Sequence, residues 1–272
     1  MNYLVAIVGP TAAGKSNLAL RLAQAFGGEI VSADSRQVDR HMDIGTAKPD
    51  AEALSLVRHH LIGVVNPDED FTLAHYHGLA AAAISDIQQR DRLPLLVGGS
   101  GLYVWSMLEG WSMPQVSPDP EFRYNLEERA AAAGAEELHR ELAKVDPVMA
   151  QQIDGRNVRR VIRALEVHSK TGLPPSQLRH REAPPYRVLI IGLTGDRTEL
   201  YRRIDLRVDD MVGRGLVAEV ERLVNMGYDM NLPSMSGIGY RQVGLFLKGE
   251  ISLAAAVQQT KFETHRFVRQ QY

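Results

Sequence analysis

Residues Gly9 to Ser16, "GPTAAGKS", follow the pattern G-x-x-x-x-G-K-S between an apolar run, "YLVAIVG", and a helical segment, "SNLALRLAQAF". A strand that turns through glycines into a helix N-terminus aims successive backbone N–H groups at one point. Lys15 adds a charge there, and Ser16 a hydroxyl able to ligate Mg2+. The chain therefore opens as a phosphate-binding strand–loop–helix unit. The pattern leaves open whose phosphate is held.

Four further short apolar runs, "EIVSAD", "HLIGVV", "LPLLVGG" and "VLIIGLTG", are closed by glycine or a polar residue, as buried parallel strands should be. They predict an α/β fold, a P-loop NTPase-like parallel sheet flanked by helices. Between the fourth and fifth runs there is no strand signal but repeated helix punctuation. Asp119 and Pro120 suit an N-cap and first helical position, Gly134 a stop, Asp146 and Pro147 a second start, and Gly172 a second stop. Residues 113–184 are thus expected to form an inserted helical domain, with 1–112 and 185–272 forming the core. Beyond the fifth run, Leu200, Ile204, Val208 and Met211 share one helical face, while Arg203 and Arg207 lie on another. The last helical pattern runs on to Tyr272.

The absence of cysteine excludes disulfides and thiolate metal sites. The N-terminal residues read as a strand rather than a signal peptide, and no apolar run approaches the ~20 residues of a membrane span. A soluble, cytoplasmic protein is expected, with a monomer favoured. A net charge of −2 argues against a polyanionic partner on average, but the charge is patterned. Residues 119–146 hold eight acidic and four basic side chains, and residues 155–187 eight basic and two acidic. In "GRNVRRVIRALEV", Val158, Ile162 and Leu165 form an apolar stripe, and Arg156, Arg160 and Arg163 a basic one, with Arg159 adjacent. Lys261, His265 and Arg269 form a second stripe with Arg266 nearby. The first is a solvated face, a phosphate-clamping lid or a track for an RNA backbone; two stripes far apart in the chain favour a long polyanion. His59, His60, His75 and His77 lack a ligand arrangement, so no structural metal is expected.

Magnesium-holding aspartates of nucleotide hydrolases usually end an unbroken apolar strand. Ser32 interrupts the run before Asp34, and two turn residues precede Asp196. Asp34 lies just past a strand's carboxyl end, where it suits either a turn or a general base. Ser100, in the second glycine turn "VGGSGLY", offers a hydroxyl to the same crevice. A P-loop kinase acting on a nucleotide or other small molecule, with the insertion as its lid, is compatible with these features.

In chain order, "GPTAAGKS", "SADSRQV", "MDIGTAKP", "VGGSGLY", "RALEV" and "PSMSGIGYRQ" resemble the tRNA dimethylallyltransferase family over essentially the whole chain. The resemblance implies transfer of a dimethylallyl group from dimethylallyl diphosphate to the exocyclic amine of the adenine 3′ of the anticodon, assisted by Mg2+. Gly9, Thr11, Ala12, Ala13, Gly14, Lys15 and Ser16 would hold the diphosphate, Ser16 also serving the metal. Asp34, Ser100 and Arg207 would be catalytic, with Asp34 as base and Arg207 neutralising the leaving group. Contacts to the tRNA anticodon stem-loop would come from Asp34, Ser35, Arg36, Gln37, Ser100, Arg123, Arg159, Arg160 and Arg163. Ser236, Gly237, Ile238, Gly239, Tyr240 and Arg241 would add to them, as would Arg266 and Arg269. Adenylate isopentenyltransferases, which use free nucleotide, are the neighbouring alternative. The sequence departs from the family pattern at Asp39 and His41, where Tyr and Gly are usual, and at Ser100, where Thr is usual. It also stops at "RFVRQQY", before the aromatic and basic continuation expected on the last helix.

Overall fold

The computed structural model describes residues 2–111, 116–178 and 181–271. β1 (Tyr3–Val8) leads into α1 (Lys15–Phe26), followed by β2 (Gly28–Ser32), α2 (Ala51–Leu56), β3 (His59–His60), α3 (Leu73–Gln89), β4 (Leu93–Gly98) and α4 (Gly101–Leu108). Then come α5 (Pro120–Ala133), α6 (Ala135–Val145), α7 (Pro147–Gln152), α8 (Val158–Thr171) and α9 (Pro175–Leu178). The chain returns through β5 (Arg187–Gly192), α10 (Arg197–Gly213), α11 (Leu216–Asn225), α12 (Tyr240–Leu247) and α13 (Leu253–Gln270).

The strands form one parallel sheet in the order β3-β2-β4-β1-β5. Alternation along β1 explains why both faces are covered: Leu4 and Ala6 join Tyr76, Ala80 and Ile84 of α3, while Ile7 joins Ala19 and Ala23 of α1. From β1 the chain passes β4 to reach β2, and β5 lies on the other side of β1. Such a reversal opens a crevice at the carboxyl ends of the strands, where ligands of α/β folds bind.

Two strand expectations need correction. "HLIGVV" contributes only its first residue, His60, which pairs with β2 together with the preceding His59, because Leu61 (φ 64°) and Gly63 (φ 59°) turn the chain out of extended geometry. β5 is not fully buried: it is an edge strand paired with β1, and Leu189 and Ile190 remain about half exposed.

The chain divides into two compact units, Met1–Leu108 with Pro184–Tyr272, and Glu109–Ala183. The expected junction at residue 113 lies outside the described residues. In the second unit, Leu138, Leu142, Val161, Ile162 and Leu165 form the centre of a separate core. Its helix ends follow from local chemistry. Asp119 accepts the Phe122 N–H at 3.0 Å, Asp146 accepts that of Met149 at 2.9 Å, and Gly172 takes the left-handed stop with φ 70°.

Candidate active site

The glycine loop takes backbone shapes that explain its composition. Gly9 has φ 146°, and a Cβ there would stand 2.4 Å from the Leu193 carbonyl oxygen. Gly14, at φ 92°, caps α1 without a side chain. Among the described residues, the amides of Gly14, Lys15 and Ser16 meet no protein acceptor, which leaves an anion seat at the positive end of the helix. Lys15 curls back, its Nζ donating to the Gly9 and Pro10 carbonyls at 2.9 and 2.8 Å. Burial lowers its pKa to about 8; Asp34 works in the opposite direction, and Arg207 lowers it further.

Asp34 follows β2 and sits where these charges meet. Its Oδ1 accepts the Arg36 N–H at 2.9 Å, forming a local turn. Arg207 is brought to it by α10, whose Leu200, Ile204 and Val208 are buried. Burial pushes the Arg207 guanidinium pKa down, and Asp34 partly restores it. Ser100 closes the opposite wall: its Oγ accepts the Ser35 N–H at 2.9 Å and donates to the Ser35 hydroxyl at 3.1 Å. The turn can pack this tightly because position 98 is glycine; a Cβ there would lie 2.1 Å from the Ala33 carbonyl oxygen. The structure thus brings the glycine loop, Asp34, Ser100 and Arg207 to the carboxyl edge of one sheet.

The remaining residues of "SRQ" serve the frame. Gln37 accepts from the Ser32 hydroxyl at 3.0 Å and donates to the Ala47 carbonyl at 3.2 Å, so its carboxamide is engaged within the loop. Arg36 Nη1 donates to the Pro233 carbonyl at 3.1 Å, tying this turn to the segment before "SGIGYR". Tyr103, which sequence reasoning passed over, stacks on Tyr76 with ring centroids 3.7 Å apart. Burial raises its pKa to about 12, and Asp39 and Asp34 act in the same direction.

Sequence reasoning also missed Glu219, a buried carboxylate on α11. It accepts the N–H groups of Asp43, Ile44 and Gly45 at 2.9, 2.8 and 3.1 Å and the Tyr240 hydroxyl at 2.6 Å. "DIGTAKP" and "GIGYR", far apart in the chain, are therefore two sides of one staple. Gly45 is required there, since a Cβ would lie 2.5 Å from the Tyr240 ring. Gln242 accepts the Gly239 N–H at 2.8 Å and fixes the start of α12. Ser236 donates to the Pro233 carbonyl at 2.6 Å, and Arg241 pairs with Glu263. Gly237 and Ile238 complete this turn.

The basic stripes are less uniform than their spacing suggests. On α8, Arg159 and Arg160 are exposed and meet no carboxylate among the described residues. Arg123 and Arg163 instead converge on buried Glu166, with Arg123 at 2.8 Å through both Nε and Nη2. Burial opposes ionisation of Glu166, yet the two guanidinium groups hold its carboxyl below the usual range. On α13, Lys261 and His265 turn to Asp209 and Asp205 of α10, at 2.7 and 2.9 Å. Arg266 and Arg269 are left exposed.

Among the described residues no group of three His, Asp or Glu side chains could hold a metal ion. His60 pairs with Glu29 and His59 with the Val57 carbonyl, so these two imidazoles are engaged within the scaffold. Asp196 caps α10 by accepting the Glu199 N–H.

The family model described as IPP transferase matches residues 37–272. A tRNA dimethylallyltransferase of Herpetosiphon aurantiacus is 54% identical over 268 residues, 98% of this chain and 85% of that protein. One from Chloroflexus aggregans is 51% identical over 271 residues, 100% of this chain and 92% of that protein. Among solved structures, the tRNA isopentenylpyrophosphate transferase of Bacillus halodurans superimposes with a TM-score of 0.72 at 41% identity, covering 100% of this chain and 86% of that one. A eukaryotic dimethylallyltransferase acting on tRNA gives a TM-score of 0.86 at 26% identity, covering 100% and 69%.

Proposed function

The chain belongs to the tRNA dimethylallyltransferase family, and we propose that it transfers a dimethylallyl group from dimethylallyl diphosphate to the exocyclic amine of the adenine 3′ of the anticodon in tRNA. The observation that carries this reading is the meeting of Lys15, Arg207 and Asp34 beside the open amides of the glycine loop. Two cations and a helix N-terminus suit a leaving diphosphate, and the carboxylate suits the proton that must leave the amine.

In this reaction the adenine nitrogen forms a bond to the allylic carbon, the carbon–oxygen bond to diphosphate breaks, and its electron pair leaves with the diphosphate. The loop amides, Lys15 and Arg207 stabilise the negative charge that develops there. Asp34 orients the amine and takes its proton, a role typically worth ~10²- to 10⁴-fold in rate. The adenine must first leave its stack, which is easiest in a single-stranded loop.

Ser16, an exposed hydroxyl at the start of α1, is the residue that would hold Mg2+, a hard ion suited to oxygen ligands. When bound, Mg2+ would neutralise charge on the departing diphosphate. We assign the activity to the cytoplasm, as suits a chain without cysteine.

Labelled dimethylallyl diphosphate incubated with tRNA anticodon stem-loops and Mg2+, without ATP, tests the reading. Label is expected in the stem-loop carrying the target adenine and absent from one lacking it. Asp34→Asn is expected to cut turnover by at least ~10²-fold with little change in RNA affinity. Phosphate transfer from ATP with no prenylation would replace this reading with a kinase, and label on free adenylate alone would move the acceptor to a nucleotide.

A further inference from the structure

The residue that caps the end of α13 reaches into the donor site. Gln271 Oε1 accepts the Thr11 N–H of the glycine loop at 2.8 Å, and Nε2 lies 3.4 Å from the Gly99 carbonyl oxygen of the second glycine turn. The fit is close: a Cβ at Gly99 would stand 2.8 Å from Gln271 Nε2, 3.4 Å from the Gly9 oxygen and 3.7 Å from Lys15 Nζ. Beside this polar bridge, Ala12 packs against Val268 of α13 together with Ile204 and Val208 of α10. The loop is thus held on its outer side by an apolar contact and a carboxamide, while the amides of Gly14, Lys15 and Ser16 stay open on its inner side.

We propose that Gln271 is a positioning residue for the donor-phosphate loop, fixing the Thr11 backbone and spanning the two glycine turns so that the inner amides converge on a diphosphate. The proposal rests on the functional reading above. It also revises one expectation, because the Thr11 N–H is directed to Gln271 rather than to the anion. A carboxamide suits the task. It accepts from one loop and donates toward the other without bringing charge beside Lys15, whereas a carboxylate would accept equally well but repel the donor.

The test compares the unsubstituted chain with Gln271→Ala and Gln271→Glu, titrated with inorganic diphosphate in the presence of Mg2+, and in parallel with an anticodon stem-loop. Loss of one net hydrogen bond predicts diphosphate binding about threefold to tenfold weaker in Gln271→Ala. Gln271→Glu should bind more weakly still, although its shape is preserved. Melting temperature should fall by no more than the about 2–4 °C that one hydrogen bond is worth, and stem-loop affinity should stay unchanged in both. Donor KM should rise while kcat at saturating donor changes less. Diphosphate affinity within about twofold in both variants would overturn the proposal. So would parallel losses of melting temperature, RNA affinity and diphosphate affinity, which would make Gln271 only a docking residue for α13. Failure of the unsubstituted chain to prenylate RNA would sink the functional reading and leave the diphosphate titration to judge the loop.

Discussion

Two carboxylates five positions apart differ in what surrounds them. Asp34 faces Lys15 and Arg207 at the site, whereas Asp39 is only 7% exposed and lies beside a backbone bridge to Val65. Burial raises the Asp39 pKa to about 6, with Arg36 and Lys48 opposing the shift. Folding therefore favours the protonated form. Its stability contribution is present at low pH and is lost as pH rises through about 6, where the buried carboxylate must ionise. Asp39→Asn, which removes the charge and keeps the shape, should raise the free energy of unfolding by about 1–3 kcal/mol near pH 8. The gain should vanish near pH 4. Urea denaturation at the two pH values measures this, and an equal difference at both would show that the Asp39 charge does not set it.

At the scale of elements, what joins the two most diagnostic sequence segments is a helix that carries neither. Glu219 on α11 gathers the amides of Asp43 to Gly45 and the Tyr240 hydroxyl, which makes α11, α12 and the loop after β2 one assembly. Replacing one carboxylate oxygen with an amide NH2 would aim a donor at N–H or O–H groups that need an acceptor. Glu219→Gln should therefore lower unfolding stability by about 2–4 kcal/mol, and weaken acceptor use more than diphosphate binding. Unchanged stability in urea would remove the staple. None of this was legible in sequence, because a glutamate in "VAEVERLV" reads as an ordinary helix residue, its amide partners lie 174 to 176 positions away and Tyr240 lies 21. Features decided locally were legible. Asp119, Asp146 and Gly172 mark helix ends wherever the helix packs, and the glycine loop carries its own geometry. β3 fell between these cases: its apolar run suggests a strand, but left-handed backbone at Leu61 ends it.

For the whole molecule, the alternation of apolar runs and helical segments sufficed for a parallel sheet with its site at the strands' carboxyl ends. Charge did not translate so directly, because spacing places arginines on a face but cannot say which of them a folded acid has already claimed. Arg163 shares Glu166 with Arg123, whereas Arg159 and Arg160 stand exposed one turn earlier. These two arginine classes should respond differently to substitution. Arg159→Ala with Arg160→Ala should weaken stem-loop binding and flatten its dependence on salt. The slope of log affinity against log salt should fall by about 0.7 to 0.9 for each phosphate that the protein no longer neutralises, with stability nearly unchanged. Arg163→Ala removes one of two guanidinium partners from a buried carboxylate that also accepts the Asp119 N–H, and should cost about 1–3 kcal/mol of unfolding stability. Measuring affinity across a salt series together with urea denaturation separates the two effects. If the double substitution leaves the salt slope intact, the exposed pair is a solvated face and the RNA backbone is gripped elsewhere. If Arg163→Ala flattens the slope as the pair should and leaves stability unchanged, its bond to Glu166 yields to RNA, and the division between structural and RNA-facing arginines fails.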